Sequence, residues 1–173
     1  MSLPADPIDP IDIMGYTIGQ FVELAARRGV KRPRATECYR AAFREARAIE
    51  PWIRIAPPPT VRTQVEGETI KFVQRHDDGL ETESVLIPMH HRNGPVTRTL
   101  CVSSQIGCAM GCGFCETAQM GFLKNLTAAQ IVGQWFAATH ERGARPKNIV
   151  FMGMGEPMDN LDAVLQSVRV LSC

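Results

Sequence analysis

The sequence predicts an α/β fold in which a small helical segment and a β-hairpin precede strand–helix units of a parallel sheet. Two observations carry that expectation. The apolar period changes along the chain: it is helical up to about residue 50 and two-residue from Thr69 to Ile87. From Thr99 onward, short apolar runs alternate with helical stretches, and strand–helix–strand–helix is the rhythm of parallel pairing. Apolar residues make up 45% of the chain, enough for a buried core.

Taken in order, residues 1–15 are acidic and proline-rich and read as a leader, without the basic start or apolar run of a secretory signal. From Tyr16 to Arg28, Ile18, Phe21, Val22 and Ala25 share one helical face, and Gly29 offers a stop. A second helix is expected over Ala35–Glu50, with Tyr39, Ala42, Phe43, Ala46 and Ile49 as its stripe and Pro51 as its end. Pro57, Pro58 and Pro59 form a stiff break. Thr69–Gln74 then alternates, Asp77-Asp78-Gly79 signals a turn, and Leu80–Ile87 reads as the partner strand. His90–Pro95 reads as a loop, followed by a strand over about Thr99–Ser103. Thr127 and Gln130 make a capping box for a helix whose buried side carries Ile131, Gln134, Trp135 and Ala138, and which Gly143 ends. Ile149–Met152 is an apolar run suited to a strand buried on both faces. Met154–Pro157 is a turn, and Leu161–Leu171 a further helix. The expected organisation is 1–60 leader and helical domain, 61–98 hairpin extension, and 99–173 the first two β/α units of a core.

The net charge of +1 favours no class of partner. Its distribution is uneven: Phe21–Arg62 holds ten Lys or Arg against four acids, which suits either a nucleic-acid backbone or a solvated helical surface. No stretch approaches the roughly 18 apolar residues that span a membrane. Six cysteines without an export signal read as thiols or metal ligands, so the expected compartment is the cytoplasm.

Cys108-Ala109-Met110-Gly111-Cys112-Gly113-Phe114-Cys115 is the most informative segment. Thiolates are the usual ligands of iron–sulfur clusters. Three thiols on a loop relaxed by glycines can hold a [4Fe-4S] cluster and leave one iron open for a cofactor. A structural zinc site, with Cys101 as a distant fourth ligand, is the alternative, and free thiols without metal a further one.

CxxxCxxC with Phe114 before the last cysteine resembles the signature of the radical S-adenosylmethionine superfamily. Residues 101–108 (CVSSQIGC), Phe114-Cys115, Thr117-Ala118-Gln119, Gly121-Phe122, Lys124–Thr127 and Met152–Pro157 together resemble the RlmN-type adenine C2 methyltransferases. The related Cfr enzymes methylate C8 and share much of this pattern. The resemblance implies a partial (β/α)6 barrel, with Cys108, Cys112 and Cys115 as cluster ligands and Gly155 and Glu156 meeting S-adenosylmethionine. It also implies Cys101 as a reactive cysteine and Glu83 as a proton acceptor; taken alone, the first is a buried strand cysteine and the second an exposed strand residue. The implied partners are RNA (23S ribosomal RNA, with transfer RNA as a second substrate) and an electron donor such as a flavodoxin. The methyl-carrying cysteine of the family lies further along a longer chain, and Cys173 is a poor stand-in, so this piece is expected to be inactive alone. Another radical S-adenosylmethionine enzyme, or a non-enzymatic metal-binding fragment, remains the competing expectation.

Overall fold

The computed structural model describes residues 9–173 apart from Asn93; residues 1–8 of the expected leader, and Asn93 of the expected loop, lie outside the described residues. Residues 9–15 depart from the leader expectation. Ile11–Asp12 (β1) pairs in parallel with Ile53–Arg54 (β2). The 3-10 turn Ile13–Gly15 is capped by the Asp12 carboxylate, which accepts from Met14 N–H at 3.3 Å. Ile13 and Met14 are fully buried, and burying such side chains is worth about 1.5–3 kcal/mol each. The acidic, proline-rich composition around them hid that anchor.

Ile18–Arg27 forms α1, closed by a capping box between Thr17 and Gln20. The next helix, α2, spans Arg32–Glu45 rather than Ala35–Glu50. It starts early because Pro33 is at home in a first turn, and it stops at Ala46, which turns left-handed (φ 53°). Ile49 therefore reaches the core from an irregular segment. Pro57 and Pro58 lie against Gly133, where any side chain would crowd the Pro58 ring.

Thr60–Glu66 (β3), Thr69–Arg75 (β4) and Glu81–Met89 (β5) make an antiparallel meander. The β4–β5 hairpin is the expected one. β3 was not expected, because residues 61–66 are exposed and alternate no apolar face. Thr97–Cys101 (β6) continues the sheet beside β5. The rest of the chain places Gln105–Gly107 (β7), Glu116–Gln119 (α3), Phe122–Asn125 (β8), Ala128–Phe136 (α4), Asn148–Val150 (β9) and Leu161–Leu171 (α5). The main sheet has the order β3-β4-β5-β6-β9 and one parallel pair, β6–β9. β7 and β8 form a separate two-stranded ladder. Among the described residues β9 is an edge strand, its residues half-buried or exposed. Asn148 is exposed and Ile149 and Val150 are half-buried, so the expectation of a strand buried on both faces does not hold among the described residues.

Three layers result. Phe72, Leu86 and Leu100 face Ile131, Ala137 and Ala138, so one sheet face packs on α4. The opposite side of α4 (Val132, Phe136), with Val170 of α5, packs on Phe21, Ala25, Tyr39 and Ala42 of the N-terminal helices. α4 is apolar on both sides because it lies between two layers. It is prolonged by a π-helical turn, Ala137–Glu141, before Gly143 (φ 63°) reverses the chain.

His76, at the β4–β5 turn, is buried; its Nε2 lies 3.0 Å from Thr82 Oγ1 and its Nδ1 has no partner. Burial, and then the Lys124 ammonium, hold its pKa below the ordinary histidine value, against the weaker opposing pull of Asp78 and Asp77. The unfolded chain therefore binds the extra proton more readily than the folded one. Stability is full above about pH 6.5, the unfolded value, and falls as the pH drops below it. Urea midpoints measured from pH 7.5 to 5.5 should decline, and His76→Gln should flatten that decline; parallel curves for the two proteins would count against it.

Candidate active site at the cysteine loop

The expected cluster cysteines sit on one excursion, residues 108–121, whose two ends are clamped by the β7–β8 ladder. Cys108 N–H donates to Gly121 C=O at 3.0 Å and closes the loop. Gly107 makes this closure possible: at φ +71° a Cβ would stand 1.8 Å from Gly121 C=O. Within the loop, Cys115 N–H donates to Cys112 C=O at 3.0 Å, and Gly111 is left-handed (φ 65°). Cys108 and Cys115 are half-buried and Cys112 is exposed. Cys115 stands at the N-terminus of α3, where the N–H groups of Ala118 and Thr117 draw its thiol below the ordinary cysteine value. Among the described residues, no three His, Cys, Asp or Glu side chains converge as a metal-ligand group, so the structure puts the three thiols on one loop without gathering them. Their donor chemistry nevertheless fits an iron–sulfur cluster: soft sulfur ligands, one with its thiol drawn below the ordinary cysteine value, on a backbone free to turn. Phe114 stands 93% exposed beside them.

The segments after β6 and after β9 lie side by side, at the C-terminal ends of the parallel pair, where α/β folds place their sites. Gly153 N–H donates to Val102 C=O, and Met154 C=O accepts from Ser104 and Gln105 N–H. Ser103 Oγ accepts from Met154 N–H at 2.9 Å and donates to Glu83 C=O at 2.7 Å. Gln105 Oε1 accepts from Glu156 N–H at 2.8 Å, and its amide donates to Asn125 at 2.8 Å. Gly155 (φ +94°) packs so closely on Gln105 that a Cβ would stand 2.4 Å from it. This binds the Gly155–Glu156 turn to β7, three residues before Cys108. Glu156 caps the 3-10 turn Pro157–Asn160, its Oε1 accepting from Met158 N–H at 3.1 Å.

Glu83 and Cys101 lie on the sheet face turned away from α4. Val85 pairs with Cys101 across β5 and β6, and Glu83 is two residues along β5 on the same face. Glu83 is ion-paired with Lys71 at 3.0 Å. The Cys101 thiol is buried and pushed up, chiefly by that burial and further by the Glu83 charge, against a hydrogen bond from the Met152 backbone.

The residues that position the site went unassigned in the sequence. Gln134, fully buried on α4, accepts from Ser84 Oγ (2.7 Å) and Ser103 N–H (2.8 Å) and donates to Ser103 C=O (2.8 Å). Asn160 donates to the carbonyls of Ser104 and Leu126, both at 2.8 Å. The available signal was a polar amide on the apolar stripe of α4, since a buried polar group needs partners.

A solved radical SAM methyltransferase from Sphaerobacter thermophilus shares this fold with a TM-score of 0.82 and 36% identity, covering 95% of this chain and 52% of that one. The chain therefore has the fold that this radical SAM methyltransferase carries over about half of its length. No family model matches the chain. Its relatives include three dual-specificity RNA methyltransferases of the RlmN type. That of Nitratidesulfovibrio vulgaris is 49% identical over 65% of this chain and 32% of its own length. That of Geobacter sulfurreducens is 37% identical over 93% and 47%, and that of Syntrophobacter fumaroxidans 34% over 95% and 52%. The chain belongs to this RlmN family, and it spans about a third to a half of the length of the relatives it matches.

Proposed function

We propose that this chain carries the cluster-bearing part of an enzyme that methylates C2 of an adenine in RNA. The substrates we assign are 23S ribosomal RNA and, second, transfer RNA. The observation that carries the reading is the cysteine loop, clamped by β7 and β8 and tied through Gln105 to the Gly155–Glu156 turn. Cys108, Cys112 and Cys115 would hold a [4Fe-4S] cluster and Gly155–Glu156 would meet S-adenosylmethionine; together these groups supply a carbon radical when bound.

The chain's own residues do the rest. Cys115, its thiol drawn below the ordinary cysteine value by the Ala118 and Thr117 N–H groups, would give up its proton to the ligand set more readily than an unshifted thiol. Glu156 Oε1 caps the following turn, and the remaining carboxylate oxygen would be free to meet the cofactor's ammonium. Glu83, partnered by Lys71, is the candidate acceptor of a proton from the methylated base, and the Cys101 thiol, held protonated by burial, is the candidate reactive cysteine. An electron donor such as a flavodoxin, and a cytoplasmic setting, complete the proposal. No helix among the described residues is long and apolar enough to cross a membrane.

Anaerobic reconstitution with iron and sulfide, reduction, and EPR with and without S-adenosylmethionine test this reading. A cluster signal that shifts with the cofactor and disappears in Cys112→Ala is the expected result. Zinc in place of iron, or a signal indifferent to Cys112→Ala, would sink it.

A further inference from the structure

Three adjoining hollows run where α2, the end of α4 and the loop into β9 meet, and they share lining residues. The first and second share Arg40 and Arg44; the second and third share Arg145. Joined, they form one track whose lining holds six cations, Arg32, Arg40 and Arg44 from α2, Arg145 and Lys147 from the loop before β9, and Arg98 from β6, besides Arg47 and the carboxylates of Glu37 and Glu45. Among the described residues none of the six is ion-paired with a carboxylate. By contrast, Arg34 and Arg47, in and just past α2, are paired with Glu37, Glu50 and Glu45. In a chain of net charge +1, seven cations against two carboxylates along one track are a field rather than a background. The central hollow, of about 830 Å³, is floored by aromatics: Tyr39 stacks on Phe43 at 4.6 Å, and Trp135 lies 6.2 Å beyond.

We infer that this track binds the phosphate backbone of the RNA substrate, at a distance from the reacting base. The inference rests on the RNA reading above and adds a surface to it. Arg40 and Arg44 stand one helical turn apart, about 6 Å along α2, on one face. A concave basic groove follows a nucleic-acid backbone, cations on phosphates, whereas a lipid surface would meet a flat cationic face. The track begins where α4 and its π-turn end, about 20 Å from the cysteine-loop end of that helix. Contacts there fix the orientation of an RNA without reading the target adenine.

Fluorescence anisotropy of the 173-residue chain with a fluorescein-labelled RNA hairpin, titrated at several salt concentrations, tests this. The R40A/R44A/R145A variant should bind on the order of tenfold or more weakly, and its log–log salt slope should shrink by about 2 to 3. R40K/R44K/R145K should keep the slope, and each single Arg→Gln variant should lower it by roughly one. An unchanged urea midpoint certifies the fold; if the triple variant fails that check, the single variants carry the test. An unaltered slope in the alanine variant, absence of RNA binding by the parent chain, or binding to phosphatidylglycerol vesicles instead of RNA would each overturn the inference. The cluster EPR signal is read separately in the same variants and should not change. A failure of the enzymatic reading thus appears there, and a failure of this one in the salt slope.

Discussion

Gly107→Ala should destabilise the chain by about 3 kcal/mol or more and strip the cysteine loop of its capacity to hold iron. Two costs add. A side chain at φ +71° carries left-handed strain of about 1–2 kcal/mol. The new Cβ would also stand 1.8 Å from Gly121 C=O, so the strand must shift and the hydrogen bond from Cys108 that closes the loop is lost. Gly111→Ala is the matched control: its φ is +65°, but a Cβ there meets nothing within 4 Å, so only the strain of about 1–2 kcal/mol remains. Urea denaturation separates the two, and iron content after reconstitution reads the effect on the loop. Equal losses in both variants would mean that the close approach of β7 to Gly121 does not hold the loop.

Gln134→Leu should cost about 3–5 kcal/mol, although leucine is apolar and the site is fully buried. The amide satisfies three groups that have nowhere else to turn: Ser84 hydroxyl, Ser103 N–H and Ser103 C=O. Each buried group left unpaired costs about 1–3 kcal/mol. The damage extends further, because Ser103 Oγ accepts from Met154 N–H and so steadies the Gly155–Glu156 turn. Cofactor affinity should fall with stability. Gln130→Ala, one turn earlier on the same helix, removes only the exposed half of a capping box and should cost about 1 kcal/mol. A Gln134→Leu variant as stable as the parent would show that the Ser103 strand end needs no support from α4.

Much of the chain was legible because its signals are local. Helix α5 matches its expected span, Thr127 caps α4, and the β4–β5 hairpin turns at Asp77-Asp78-Gly79, each within a few residues. The three-cysteine spacing is likewise local, but whether the thiols gather round a cluster is not a local property, and the structure leaves them on one loop without converging. The edge strand β3 and the anchor at Ile13–Met14 were not legible, since neither carries an alternating pattern strong enough to stand out from polar or proline-rich surroundings.

What the amino-acid sequence determined by itself is the donor set on the cysteine loop and the order of the elements with strong local signals. What only the tertiary structure decided is which distant residues meet. Gln105 grips the Gly155–Glu156 turn across 51 residues, Gln134 holds Ser103 across 31, and Arg145 comes to face Arg40 and Arg44 across one hollow. Periodicity and capping act within a turn or a strand, whereas these contacts exist only once burial has brought separate layers together. A buried polar group then takes whichever partner that packing presents.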